Sequence, residues 1–188
     1  YKDNFTWLIQ TIEIIKKIKN VNWIIKGHPI DIKKNNILTT QEVISELIKK
    51  EKNIKFLDHK NKQNKILHNS IDVAISAHGS VAVEYPSIGI PCIIAGDAFC
   101  SGKGFTIEPK TTSHYVNLLN NIDKIKKLDK YSISKAKVFY YIYNYKMRVK
   151  FDLIKNNFDV KNSDLTKNDF YNSFNNQVSK NLRHLEKL

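Results

Sequence analysis

Four short apolar runs alternate with segments of helical spacing, and that alternation constrains the fold of this chain more than any other feature. "VNWIIK" (21–26), "NIKFLD" (53–58), "IDVAIS" (71–76) and "IPCIIAG" (90–96) are each of strand length, carry β-branched or aromatic residues and are followed by a polar or glycine-bearing turn. Ahead of the first, "FTWLIQTIEIIKKIK" (5–19) places Trp7, Ile14, Ile15 and Ile18 near helical spacing, with lysines on the other side. Ahead of the second, "TTQEVISELIKK" (39–50) opens with threonines suited to capping, carries Glu42 in its first turn and ends in lysines, the polarity a helix dipole favours. The unbroken apolar character of "IDVAIS" suits a strand buried on both faces. The pattern predicts an α/β fold: a Rossmann-like parallel sheet with helices on both faces.

The remaining segments complete that outline. Residues 59–70 are polar, with a short helix expected to end near His68 and Asn69; another short helix is expected between Gly79 and Ile88. Residues 97–115 read as a functional loop, because long irregular connections in compact domains usually are. Helices follow over about 113–127 and 132–150. The aromatic stretch "KVFYYIYNYKMRVKF" (137–151) is apolar around most of a helical circumference, which predicts core packing in preference to membrane attachment, although tyrosines with lysines also suit an interface. Residues 151–188 are Asn- and Lys-rich and read as a helical or partly disordered tail behind a domain over 1–150. At 188 residues the chain suits one domain with a tail, and its helical pattern starts so soon after Tyr1 that further chain is expected upstream.

Composition narrows the functions. A formal charge of +13 invites a nucleic-acid reading. Only Arg148 and Arg183 are arginines, however, and the lysines alternate with Asn and Ile throughout, so solvated-surface lysine is the better account. No nucleic-acid partner is expected; anionic substrates or the anionic face of a membrane remain compatible. Cys92 in an apolar run and Cys100 in a polar turn have neither zinc-site spacing nor a disulfide-scaffold pattern, which favours a reducing cytoplasm. No apolar run approaches the length of a membrane span. Neither a G-x-G-x-x-G nor a P-loop fingerprint occurs, and no metal-ligand cluster or cofactor is expected.

The residues that can carry chemistry all follow strands, where ligands bind in open parallel sheets. "KGHP" (26–29), "SAHGS" (76–80) and "AGDAFCSGKG" (95–104) are the three loop tips. Gly79 and Ser80 stand where strand turns into helix, so backbone N–H groups there can meet a phosphate; Ser80 either caps the helix or binds the ligand. Glu84, one helical turn on, can accept two hydrogen bonds from a vicinal diol or simply favour the helix dipole. Pro86 lacks the N–H for the Ala82 carbonyl, so the helix should bend or end soon after Tyr85. His28, held out of helical geometry by Pro29 and preceded by Gly27, can donate to a phosphate oxygen or act as acid or base. His78 lines the pocket or braces the turn. Lys26 and Lys103 can neutralise phosphate, Lys103 with Gly102 and Gly104 on either side.

Together "IIKGHP", "DVAISAHGSVAVEYPSIGIPCIIAG" and "GKGFTIEP" resemble the C-terminal half of bacterial capsule and surface polysaccharide biosynthesis proteins, which are similar to two-Rossmann-domain (GT-B) glycosyltransferases. The likeness extends over about 5–147. It implies the nucleotide-sugar-binding domain of a glycosyltransferase, with the nucleotide-activated sugar as substrate, a polysaccharide or glycolipid as acceptor, and a separate N-terminal domain contributing the acceptor site. Carried onto this chain, it implies that His28 and Pro29 form a His-Pro motif beside the phosphate, with His28 as the catalytic group. It also implies that Gly79 and Ser80 hold phosphate, that Glu84 binds ribose, and that the loop with Gly102, Lys103, Gly104, Phe105 and Thr106 closes over the sugar. A cytoplasmic place, with peripheral contact at the inner membrane face, fits that role. Related layouts occur in nucleotide-sugar epimerases and glycerophosphotransferase-like enzymes, and a non-catalytic module binding acidic glycan or a membrane surface is the alternative outside enzymes.

Overall fold

The computed structural model describes residues 1–27, 40–57 and 68–146. His28, Pro29, most of the polar segment 59–70 and the expected tail 151–188 therefore lie outside the described residues. The chain divides into two units, Tyr1–Tyr140 and Tyr141–Leu188. The first unit holds α1 (Asn4–Ile15), β1 (Trp23–Lys26), α2 (Thr40–Ile48), β2 (Ile54–Leu57), β3 (Ala74–Ser76), α3 (Val81–Ser87), β4 (Cys92–Ile94), α4 (Thr112–Asn120) and most of α5 (Lys130–Tyr141).

Local chemistry accounts for the element ends. Asp3 caps α1, accepting from the Thr6 amide at 2.7 Å, so an orphan donor of the first turn is satisfied. The turn after α1 is held by Asn53, whose side-chain amide donates to the Ile18 and Val21 carbonyls. The end of α3 is a Schellman motif: Gly89 (φ +93°) donates to the Pro86 carbonyl, and Ile90 donates to that of Tyr85. "SIGIP" thus codes for a helix stop followed by strand entry, with Pro91 barring any continuation. The helix runs through Pro86 to Ser87, within the expected span between Gly79 and Ile88.

All four strands pair in parallel. Trp23 lies opposite Ile54 and Lys26 opposite Leu57; Ala74 lies opposite Cys92 and Ser76 opposite Ile94. The described residues form two parallel pairs, where the sequence suggested one continuous sheet. Strands of three or four residues offer few ladder bonds, and side-chain packing joins the pairs instead. One hydrophobic cluster takes Ile12 and Ile15 from α1, Trp23, Ile44, Ile48 and Ile54 from the β1–β2 side, and Ile93, Tyr115 and Leu119 from the β4–α4 side. A second cluster lies on the opposite face of β4, where Cys92 and Ile94 meet Ala82, Val83, Cys100, Phe105 and Ala136. Alternate residues of β4 therefore feed opposite faces, and each such buried side chain contributes about 1.5–3 kcal/mol.

Cys100 sits in the turn after β4, as expected, and its side chain is fully buried because that turn folds onto α3. One expectation needs correction. The aromatic stretch is not core on most of its circumference: Phe139 and Ala136 pack inward, while Val138, Tyr140, Tyr141, Ile142, Tyr143 and Tyr145 are exposed. Tyrosine tolerates this because its hydroxyl prefers a wet partner.

Buried protons give the fold a pH dependence. Burial pushes the Tyr115 hydroxyl up to about 12 from its ordinary 10, although hydrogen bonds with Thr11 and Trp7 pull the other way. Burial, with a smaller push from Cys100, raises the Cys92 thiol to about 12 from 9. Between these values the unfolded chain has released protons that the fold still holds, so stability is complete below the ordinary values and lost as pH rises towards about 12. The expected slope is about 1.4 kcal/mol per pH unit for each group. Urea midpoints should fall steadily from pH about 9 upward, and Cys92→Ala should flatten the first part of that decline.

Candidate functional site

The carboxyl ends of β3 and β4 are stitched together. The Ala95 amide donates to the Ser76 carbonyl at 2.9 Å, and the Gly96 amide to that of Ala77 at 3.0 Å. A Cβ at Gly96 would stand 3.0 Å from the Ala77 oxygen, so glycine is what lets these backbones approach. The next turn is tightened by the Ser76 hydroxyl, which donates to the His78 carbonyl at 2.7 Å. Gly79 then adopts φ +112°, a conformation side chains rarely accept, and the space where its Cβ would lie is empty to 4 Å.

Donors at this turn can be assigned individually. Ala82 bonds back to the Gly79 carbonyl, and Val83 and Glu84 to that of Ser80. Among the described residues no backbone bond leaves the N–H of Gly79, Ser80 or Val81. The Ser80 side chain makes no capping bond, so of its two expected roles capping is not the one realised. With seven residues, α3 aligns few peptide dipoles, so its positive end consists mainly of discrete N–H groups. Glu84 is half-buried in the first turn of α3, one turn beyond Ser80. Burial, and then the Glu84 charge, push the neighbouring Tyr85 hydroxyl upward. His78 is exposed, with Nε2 3.5 Å from the side-chain nitrogen of Asn4 at the start of α1.

Several contacts fasten the loop after β4. Pro86 removes the donor that Ala82 would have received within the helix, and the Cys100 thiol donates to that carbonyl instead, at 3.7 Å. The loop is thereby fastened to the first turn of α3. Phe105 is buried beside Phe139, with ring centroids 5.7 Å apart. Glu108 accepts from the Gly102 amide at 3.0 and 3.1 Å and from the Thr106 hydroxyl at 2.6 Å. These contacts hold the exposed Lys103 between two glycines of positive φ, Gly102 at +74° and Gly104 at +78°. The Lys135 amino group lies 3.4 Å from where a Gly104 Cβ would be, which adds a second cation to the loop's surroundings.

Two of the three expected loop tips, 76–80 and 95–104, are therefore joined. Gly27 ends the other strand pair, its amide bonded to the Leu57 carbonyl at 2.9 Å, and no hydrogen bond among the described residues ties it to the 76–80 turn. Lys26 is exposed at the same strand end, while His28 and Pro29 lie outside the described residues. Among the described residues no group of three His, Cys, Asp or Glu side chains is arranged for a metal ion.

Sequence reasoning missed Cys100 and Glu108 as the loop's fasteners, and it missed a cavity of about 200 Å³ lined by Tyr1, Ala95, Pro109, Lys110, Thr111, Thr112 and Tyr115. The cavity borders the same end of β4 and the start of α4, where the Thr111 hydroxyl caps by accepting from the His114 amide at 3.1 Å. The signal was "PKTT": a proline, a cation and paired threonines ahead of a helix. Its volume is below that of pockets that enclose drug-sized ligands, about 300–1,000 Å³, and matches only part of a nucleotide-sugar. Compared with protein-family models, curated proteins and solved structures, the chain gives no match.

Proposed function

We propose that this chain is the nucleotide-sugar-binding domain of a glycosyltransferase in capsule or other surface polysaccharide synthesis, with its parallel strands forming a Rossmann-like half of a GT-B architecture. The observation that carries the reading is the stitched end of β3 and β4. Gly79 at φ +112° has open space where a Cβ would lie, no backbone bond among the described residues leaves the Gly79–Val81 amides, and Glu84 is one turn away. Parallel sheets place ligands at such ends.

In this reading the diphosphate lies over the Gly79 turn, the ribose hydroxyls donate to Glu84, and the loop carrying Lys103 and Gly104 covers the sugar. As the glycosidic bond breaks, negative charge grows on the departing nucleotide phosphate. Backbone donors at Gly79 and Ser80, the Lys103 ammonium and His28 offset that charge, and fixed dipoles do so without reorganising. A His28 imidazolium can also donate a proton to the leaving oxygen.

Calorimetric titration with CMP-, CDP- and UDP-sugars tests the reading. One nucleotide class should bind saturably, with affinity reduced at least about tenfold in Glu84→Ala, since hydrogen bonds to a charged group contribute about 1.5–3 kcal/mol each. His28→Ala should weaken binding of the diphosphate. No nucleotide binding, together with salt-sensitive binding to acidic polymers, would favour the non-catalytic module instead.

A further inference from the structure

The second unit opens with a π-helical turn, Ile142–Lys146, directly after Tyr141. Tyr141 is 52% exposed, Ile142 42% and Tyr145 67%. The two tyrosine rings lie 5.5 Å apart, and the Lys146 ammonium sits 5.9 Å from the Tyr141 ring centre. Large apolar side chains grouped in water signal a contact surface, and π-helical turns recur at functional positions.

We propose that this turn is a docking surface for an anionic phospholipid bilayer, an inference that goes beyond the nucleotide reading and does not depend on it. Tyrosine is suited to headgroup depth because its ring is apolar and its hydroxyl polar. Charge complementarity selects the occupant: from Tyr141 to Lys150 the sequence holds two lysines, one arginine and no Asp or Glu. Near an anionic leaflet each such lysine adds attraction, whereas a second copy of a chain with net charge +13 would be repelled. Among the described residues no helix is long and apolar enough to cross a membrane, so the contact lies along the surface.

The test is co-sedimentation of the full chain with vesicles of phosphatidylcholine alone, or with about one third phosphatidylglycerol. The chain should partition onto the anionic vesicles only, and less so as salt is raised. Lys146→Gln should lower the partition coefficient about fivefold, and Tyr141→Ser with Tyr145→Ser about tenfold, with far-UV circular dichroism and nucleotide-sugar titration unchanged. Lys146→Gln is a single exposed substitution, so it decides the matter if the double variant misfolds. Failure to bind anionic vesicles, equal binding to neutral ones, or full binding by Lys146→Gln would overturn the proposal. Concentration-dependent self-association abolished by the tyrosine substitutions would also overturn it, by identifying a second copy as the occupant.

Discussion

Phe105→Ala should cost about 3–5 kcal/mol of folding stability, the range for truncating a buried aromatic, and should free the loop that carries Lys103. Phe105 is 2% exposed and belongs to the cluster of Cys92, Ile94, Cys100 and Ala136, so the loss combines transfer free energy with a cavity beside β4. Against a typical total of about 5–15 kcal/mol, that is a large fraction. Phe105→Leu should cost clearly less, because most of the volume stays filled. The functional readout is trypsin cleavage after Lys103, which should accelerate in Phe105→Ala. Glu108→Ala should accelerate it too, at a smaller cost in stability, because it removes the hydrogen bonds from Gly102 and Thr106 and leaves the apolar anchor. A change under about 1 kcal/mol in the urea-derived stability of Phe105→Ala would place that ring outside the core.

Gly79→Val should abolish nucleotide-sugar binding while leaving a folded protein. At φ +112° a β-branched residue carries backbone strain of about 1–3 kcal/mol, yet nothing lies within 4 Å of the new Cβ to clash with it. The valine methyl groups would fill the open space beside the Gly79 backbone, where the proposed phosphate site lies. The expected result is a urea midpoint that is lowered but measurable, with calorimetric binding reduced at least about a hundredfold, the equivalent of about 2.7 kcal/mol. Gly96→Val offers the contrasting case. There the Cβ meets the Ala77 carbonyl oxygen at 3.0 Å, so stability should suffer along with binding. Undiminished affinity in folded Gly79→Val would move the ligand away from this turn.

Short-range signals were the legible ones. Apolar runs placed β1 to β4 to within three residues at each end, and Gly89 and Pro91 code for the helix stop because a positive φ and a missing N–H are properties of single residues. Long-range pairings were not. Ile107 returns to pair in parallel beside Ile93, its amide bonded to the Cys92 carbonyl at 2.9 Å, yet an isolated bridge leaves no periodicity to read. Cys100 is a turn residue, as its polar neighbours suggest, but the Ala82 carbonyl that draws its thiol inward is eighteen positions away. Glu108 gave no motif, since its partners are a backbone amide and one hydroxyl. Within the site, glycine positions and strand ends could be read from residue type, whereas the seven-residue length of α3, which leaves individual amides in place of a long helix dipole, could not. The aromatic stretch misled because a helical wheel registers apolarity without knowing which neighbours exist to cover it.

Amide-resolved NMR titration with the nucleotide-sugar selected by calorimetry reads the proposed phosphate site donor by donor. Saturable shifts are expected for the Gly79, Ser80, Val81 and Gly96 amides, together with Gly102 to Gly104, all at one dissociation constant. Shifts confined to the cavity around Lys110 and Thr111, with the Gly79–Val81 amides unmoved at saturation, would contradict that placement of the phosphate.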